Sequence, residues 1–203
     1  MFNQLKKGVM ATILGASLLI PVTALAANSS YTVTSGDTLW KIAVKTQTGV
    51  QELINVNPQL ANPNLIYPGQ KINVPEQEGQ AVETEVVRLV NVERAKVGLP
   101  ALKSDWEVAR VAEDKSQDMA DKNYFNHTSP TYGSPFTMLK NYGINYRSAG
   151  ENIAQGQRTA AEVVNAWMNS SGHRANILNK NFTHIGVGYV ADGHYWTQMF
   201  IQK

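Results

Sequence analysis

The chain carries four histidines and no cysteine, so thiolate chemistry, disulfides and thiolate zinc sites are excluded together. What remains for chemistry is imidazole, carboxylate and hydroxyl. His127, Glu151 and His173 are residue types that hold zinc, and two imidazoles with one carboxylate leave a position open for water. Their separations along the chain are wide, and no local motif such as HExxH joins them. No GxSxG elbow presents a serine nucleophile. Ser129, Ser170 and Ser171 lie near those histidines in sequence, but serines are common in loops. Glu151 and Glu162 could be imagined as a glycosidase pair, yet Glu162 follows Thr159 at capping-box spacing, which explains it without catalysis. His184 and His194 read as surface or hairpin residues, and Trp167 and Trp196 as core or cleft-wall residues.

Positioning these residues is the task of residues 81–203. Val82, Val86, Leu89, Val90 and Val97 keep helical spacing until Gly98 and Pro100 stop the helix. Ser104 and Glu107 have capping-box spacing for a second helix through about Lys122. Ser134-Pro135 starts a short third helix that Gly143 ends. Thr159 starts another, running through Trp167. Thr183 to Val190 and Tyr195 to Gln202 read as strands flanking the turn Asp192-Gly193. Helices around a terminal antiparallel hairpin predict an α+β sandwich.

Residues 31–75 form a smaller unit. Tyr31 to Thr34 alternates like a strand, and Asp37 is placed to N-cap the following helix. Leu39, Ile42 and Ala43 share one helical face. Thr48 and Gln51 have capping-box spacing for a second helix, and Lys71 to Val74 reads as a closing strand. The polar run 76–80 is the expected linker.

The N-terminus reads as an export signal over residues 1–26. Lys6 and Lys7 precede the uncharged, mostly apolar stretch Gly8 to Ile20, Pro21 breaks it, and Ala24-Leu25-Ala26 offers a small-x-small cleavage site. Removing it leaves equal numbers of basic and acidic residues, although the full chain is formally +2. With no basic stripe, nucleic acid is excluded as an expected partner. No membrane association is expected after cleavage.

The first unit resembles a LysM domain, through YTVTSGDTLWKIA at Tyr31 to Ala43 and NPNLIYPGQKINVP at Asn62 to Pro75. The resemblance implies a βααβ fold that binds N-acetylglucosamine glycans such as peptidoglycan. It places the glycan groove between two loops, here Gly36, Asp37, Thr38 and Leu39, and Asn64, Leu65, Ile66, Tyr67 and Pro68. A shallow groove with backbone donors and a few apolar contacts suits a sugar chain.

The second unit resembles the CAP superfamily, which contains cysteine-rich secretory and plant pathogenesis-related proteins, and more closely its cysteine-free bacterial branch. VNVERAKVGLPAL at Val90 to Leu102, DMADKNYFNHTSP at Asp118 to Pro130, GENIA at Gly150 to Ala154, AWMNSSGHRANILN at Ala166 to Asn179 and IGVGY at Ile185 to Tyr189 carry the match. It implies an α-β-α sandwich whose central cleft gathers His127, Glu151 and His173. Many CAP clefts hold a divalent metal on two histidines and two glutamates. The second glutamate would fall near Ser170, where this chain has no carboxylate, which puts a full tetrad in doubt. A zinc ion on His127 and His173 is therefore an expectation from resemblance alone.

The reading favoured here is a wall-targeted binding protein whose CAP ligand is unknown. Its alternatives are a wall-acting, metal-assisted hydrolase working through the cleft, and a spore-coat or cortex-associated structural protein.

Overall fold

A computed structural model describes residues 29–75 and 79–203. The export signal expected over 1–26, and residues 76–78 of the expected linker, lie outside them. Among the described residues no helix is long and apolar enough to cross a membrane.

The first unit is a β-α-α-β module. β1 (Ser29–Thr32) is followed by α1 (Leu39–Thr46), α2 (Val50–Asn55) and β2 (Lys71–Val74), and β2 pairs antiparallel with β1. Leu39, Ile42 and Ala43 fall at i, i+3 and i+4 on α1 and bury against Leu53, Ile72 and Val74. Two expected caps are corrected. Thr38, not Asp37, caps α1, its Oγ1 accepting from the Lys41 N–H. Asp37 instead turns inward, where Tyr31, Thr34 and Lys45 all donate to it. Gly49 stands at the cap of α2 without a side-chain bond, while Thr48 is buried.

In the second unit α3 (Gln80–Lys96) leads to β3 (Lys103–Ser104), α4 (Trp106–Asp121), α5 (Pro135–Asn141) and β4 (Ser148–Gln155). Then come α6 (Ala160–Met168), α7 (Ser171–Ile177), β5 (His184–Val190) and β6 (Tyr195–Gln202). The sheet runs β3-β5-β6-β4; β3 is parallel to β5 and the other pairs are antiparallel. Strand alternation divides the core. Ile185, Val187, Trp196 and Phe200 meet Val86, Val90, Val163 and Trp167 from α3 and α6. On the other face Met199 and Ile201 meet Val108, Val111 and Ala112 of α4 and Met138 and Leu139 of α5. The result is an α-β-α sandwich.

The IGVGY sequence explains how closely one helix approaches. A Cβ added at Gly186 or Gly188 would lie 2.2 Å from the backbone nitrogen of Ala109 or Glu113. α4 therefore rests directly on the β5 backbone. Arg94, fully buried, donates to the carbonyls of Pro100, Ile177 and Asn179 and so ties α3 to the chain segment entering β5. The N-cap of α4 is Asp105, which accepts from the Glu107 and Val108 N–H groups. Ser104 is drawn into the sheet opposite Ile185, which displaces the expected cap by one residue. Glu162 likewise accepts from the N–H of Arg158 rather than from that of Thr159.

Candidate functional site

β4 is an edge strand, so segments from both faces of the sheet can meet over its free side. Alternation sends Glu151 to the α4 face with Ala149 and Ile153, and Asn152 to the opposite face. His127 arrives from the loop after α4, and His173 from α7. His127, His173, Phe125, Asn126 and Ile153 line one cleft of about 260 Å³.

The His127 Nδ1 lies 2.6 Å from Glu151 Oε1. The Glu151 side chain is only 2% exposed, whereas that of His127 is 54% exposed, so a buried carboxyl group lies beneath a solvent-facing ring. That hydrogen bond raises the histidine's pKa, against opposition from burial and from Lys115. His173 is moved the other way, by burial first and by His127 second. The cleft thus presents two imidazoles whose pKa values are moved in opposite directions.

Sequence reasoning missed the residue beneath this loop. Lys115 is fully buried, and its ammonium donates to the carbonyls of Asn126 at 2.7 Å and His127 at 3.0 Å, and to the Tyr124 hydroxyl at 3.1 Å. Burial lowers its pKa, while Glu151 and Asp118 support its charge. One turn on, Asp118 accepts from Lys122, Tyr124, Ser129 and Thr131. Burial would raise the Asp118 carboxyl, but these donors outweigh it and hold it well below the usual carboxylate range. A lysine at an inward helical position was the available signal, because a charge there needs partners.

On the other side, an amide ladder fixes α7. Asn152 Nδ2 donates to the His173 carbonyl and to Gln198 Oε1. Asn176 Nδ2 donates to the Glu151 carbonyl and to Asn152 Oδ1. These bonds set where His173 stands relative to Glu151.

A metal fits this arrangement poorly. Among the described residues no group of three or more His, Cys, Asp or Glu could hold a metal ion. Glu151 gives one oxygen to His127 and keeps the other buried without a hydrogen-bond partner. Two imidazoles fall short of the three protein ligands usual for catalytic zinc.

Trp167 and Trp196 are core residues, their indole N–H groups donating to the Ile153 and Gln157 carbonyls. His184 opens β5, and His194 lies in the hairpin turn beside Tyr189. Glu162 stands at the start of α6, outside the cleft lining.

In the first unit the loop residues divide by direction. Asp37 is held by the Tyr31 and Thr34 hydroxyls, the Thr34 N–H and the Lys45 ammonium, which together lower its pKa, the Lys45 bond most. Leu39 is in the core, Thr38 caps α1, and Ile66 packs against the core from outside. Gly36, with a positive φ of 84°, makes the turn and accepts Lys41 Nζ on its carbonyl. Asn64, Leu65 and Tyr67 are exposed, Leu65 at 53% and Tyr67 at 59%. The N–H groups of Asn64, Leu65 and Tyr67 are bonded within the loop. Trp40, 66% exposed in the first turn of α1, escaped sequence reasoning. Its signal was an indole off the Leu39-Ile42-Ala43 face.

Comparison with known proteins agrees with both units. The Cysteine-rich secretory protein family, CAP, matches residues 87–202, more than half of the chain, and the LysM domain matches residues 31–75. The uncharacterized protein YkwD of Bacillus subtilis is 64% identical over 123 residues, covering 61% of this chain and 48% of that protein. An extracellular protein containing an SCP domain from Bacillus anthracis superposes with a TM-score of 0.60 at 36% identity, over 67% of this chain and 47% of that one. An endolysin of Bacillus phage B103 is 48% identical over 46 residues, 23% of this chain and 18% of its own. The chain spans about half the length, or less, of each of these proteins. It belongs to the cysteine-rich secretory protein (CAP) family and carries a LysM domain ahead of its CAP domain.

Proposed function

We propose that this chain is an exported wall protein, held on the N-acetylglucosamine glycans of peptidoglycan by its LysM domain. Its CAP cleft then faces a second ligand in the wall. The observation that carries the reading is the division of the LysM loops. The charged Asp37 is locked inside the module, while Leu65, Tyr67 and Asn64 stand at the surface with no carboxylate or ammonium among them. Apolar and amide side chains without net charge suit the N-acetyl groups and apolar faces of a sugar chain. The extracellular origin of the Bacillus anthracis relative supports export. Cosedimentation with insoluble peptidoglycan tests the reading. Replacing Leu65 and Tyr67 together by serine should weaken binding about tenfold or more, equivalent to ~1.4 kcal/mol. Stability should change by only about 0.5 kcal/mol, because both side chains are exposed. Undiminished binding would contradict it.

A second reading, a wall-acting hydrolase, draws on the oppositely shifted imidazoles of His127 and His173 in one cleft. One could hold a proton at Nε2 while the other accepts one, the division of labour of general acid and base. Release of soluble fragments from peptidoglycan by the wild type, and not by His127→Ala, would establish it. Equal release by both would reject it.

A further inference from the structure

The sheet gathers positive charge at one end. β3 is parallel to β5 and β6 is antiparallel to it, so the start of β3, the start of β5 and the end of β6 lie side by side. Those positions hold Lys103, His184 and, just beyond β6, Lys203. Lys180 adds a third ammonium from the segment entering β5. Together with buried Arg94 they line a concavity of about 370 Å³, and none of the described residues lining it is an aspartate or a glutamate. Asp105, which bonds Lys203, lies outside that lining.

Arg94 contributes charge but little bonding capacity, because its guanidinium already serves several carbonyls. The charges available to a ligand are the ammoniums of Lys103 and Lys180, because that of Lys203 is paired with Asp105. His184 has its Nδ1 2.8 Å from Thr183 Oγ1. Its pKa is lowered by burial first and then by Lys203 and Lys103, with Asp105 opposing, which places the ring inside the lysine field.

We propose that this concavity is an anion-binding site for a phosphate-bearing chain, such as a polyol phosphate. Two ammoniums from two segments, Lys103 and Lys180, act as convergent point charges beside Lys203, whose ammonium is held by Asp105, and such a pair suits a multivalent phosphoryl group. A flat carboxylate is better matched by a free guanidinium fork, and Arg94 has none to offer. A concavity of this volume also exceeds what one phosphate ion fills. Its lining shares no residue with the LysM loops or the His127 cleft, so it is independent of the proposed function.

The test is titration of the full chain with a poly(glycerol phosphate) oligomer, inorganic phosphate and poly-glutamate of equal charge, followed by His184 ring signals in NMR. The oligomer should shift His184 and bind more tightly than the other two, with affinity falling as salt rises. The double variant Lys103→Glu/Lys180→Glu should lose about tenfold or more. The charge-matched control Lys71→Glu/Lys140→Glu, with both lysines elsewhere on the surface, should keep its affinity. Circular dichroism checks folding, and Lys180→Ala serves in place of the double variant if that one does not fold. An unmoved His184, equal losses in variant and control, or equal binding of poly-glutamate or inorganic phosphate would overturn the proposal.

Discussion

Glu151 stabilises the imidazolium of His127, and the sign of that effect fixes its pH dependence. The histidine's pKa is raised above its ordinary 6.5 in the folded protein. Stability from the pair is therefore fully present below about 6.5 and is lost as pH rises through the raised value. Because the His127 ring is half exposed, solvent screens the pair and the contribution is small. Glu151→Gln should lower the His127 pKa in an NMR titration and cost more stability near pH 5 than near pH 8 in urea unfolding. An unmoved His127 pKa would show that the 2.6 Å contact has no electrostatic consequence. Lys115 makes a second residue-scale prediction. Lys115→Met leaves the Asn126 and His127 carbonyls without their buried donor, at a cost of about 3–5 kcal/mol for breaking a buried charge network. It should also move the His127 ring signals. Wild-type signals together with wild-type stability would remove Lys115 from the account.

At the scale of elements, the close approach of α4 to β5 is the feature most exposed to substitution. Gly186→Ala sets a Cβ 2.2 Å from the Ala109 backbone nitrogen, and a flexible side-chain end cannot give way there. The expected loss is about 3 kcal/mol, at the upper end for overpacking. It is read as a lower thermal midpoint, whereas Gly172→Ala, with nothing within 4 Å of the added Cβ, should be close to neutral. The same elements show what the sequence disclosed. Leu39, Ile42 and Ala43, the Ser134-Pro135 start and the Asp192-Gly193 hairpin were legible because their signals are local. β4 and α7 were not, for SAGENIAQ mixes glycine and polar residues with few β-branched ones, and SGHRANI has no apolar period. Their order comes from long-range bonds such as those of Asn152 and Asn176. The resemblance to CAP proteins grouped His127, Glu151 and His173, which their spacing could not do; His127 and His173 line one cleft, and Glu151 lies beneath His127, outside that lining. Lys115 has no motif at all, since its partners are carbonyls of a loop whose path only the fold defines.

In the whole molecule, a LysM domain precedes a CAP domain, and the proposed function assigns targeting to the first and recognition to the second. Under the proposed function, LysM on the wall would bring the CAP cleft to a wall ligand at high effective concentration, so even a weak cleft interaction would become productive. A single shallow sugar site is itself modest, and its uncharged loop residues predict little sensitivity to salt. The most direct measurement is cosedimentation with purified insoluble peptidoglycan of three proteins: residues 29–203, residues 29–75 and residues 79–203. The first two should pellet with the wall at low and at physiological salt, and the third should stay in the supernatant. Pelleting of residues 79–203 as complete as that of residues 29–203 would contradict LysM anchoring and transfer wall binding to the CAP domain.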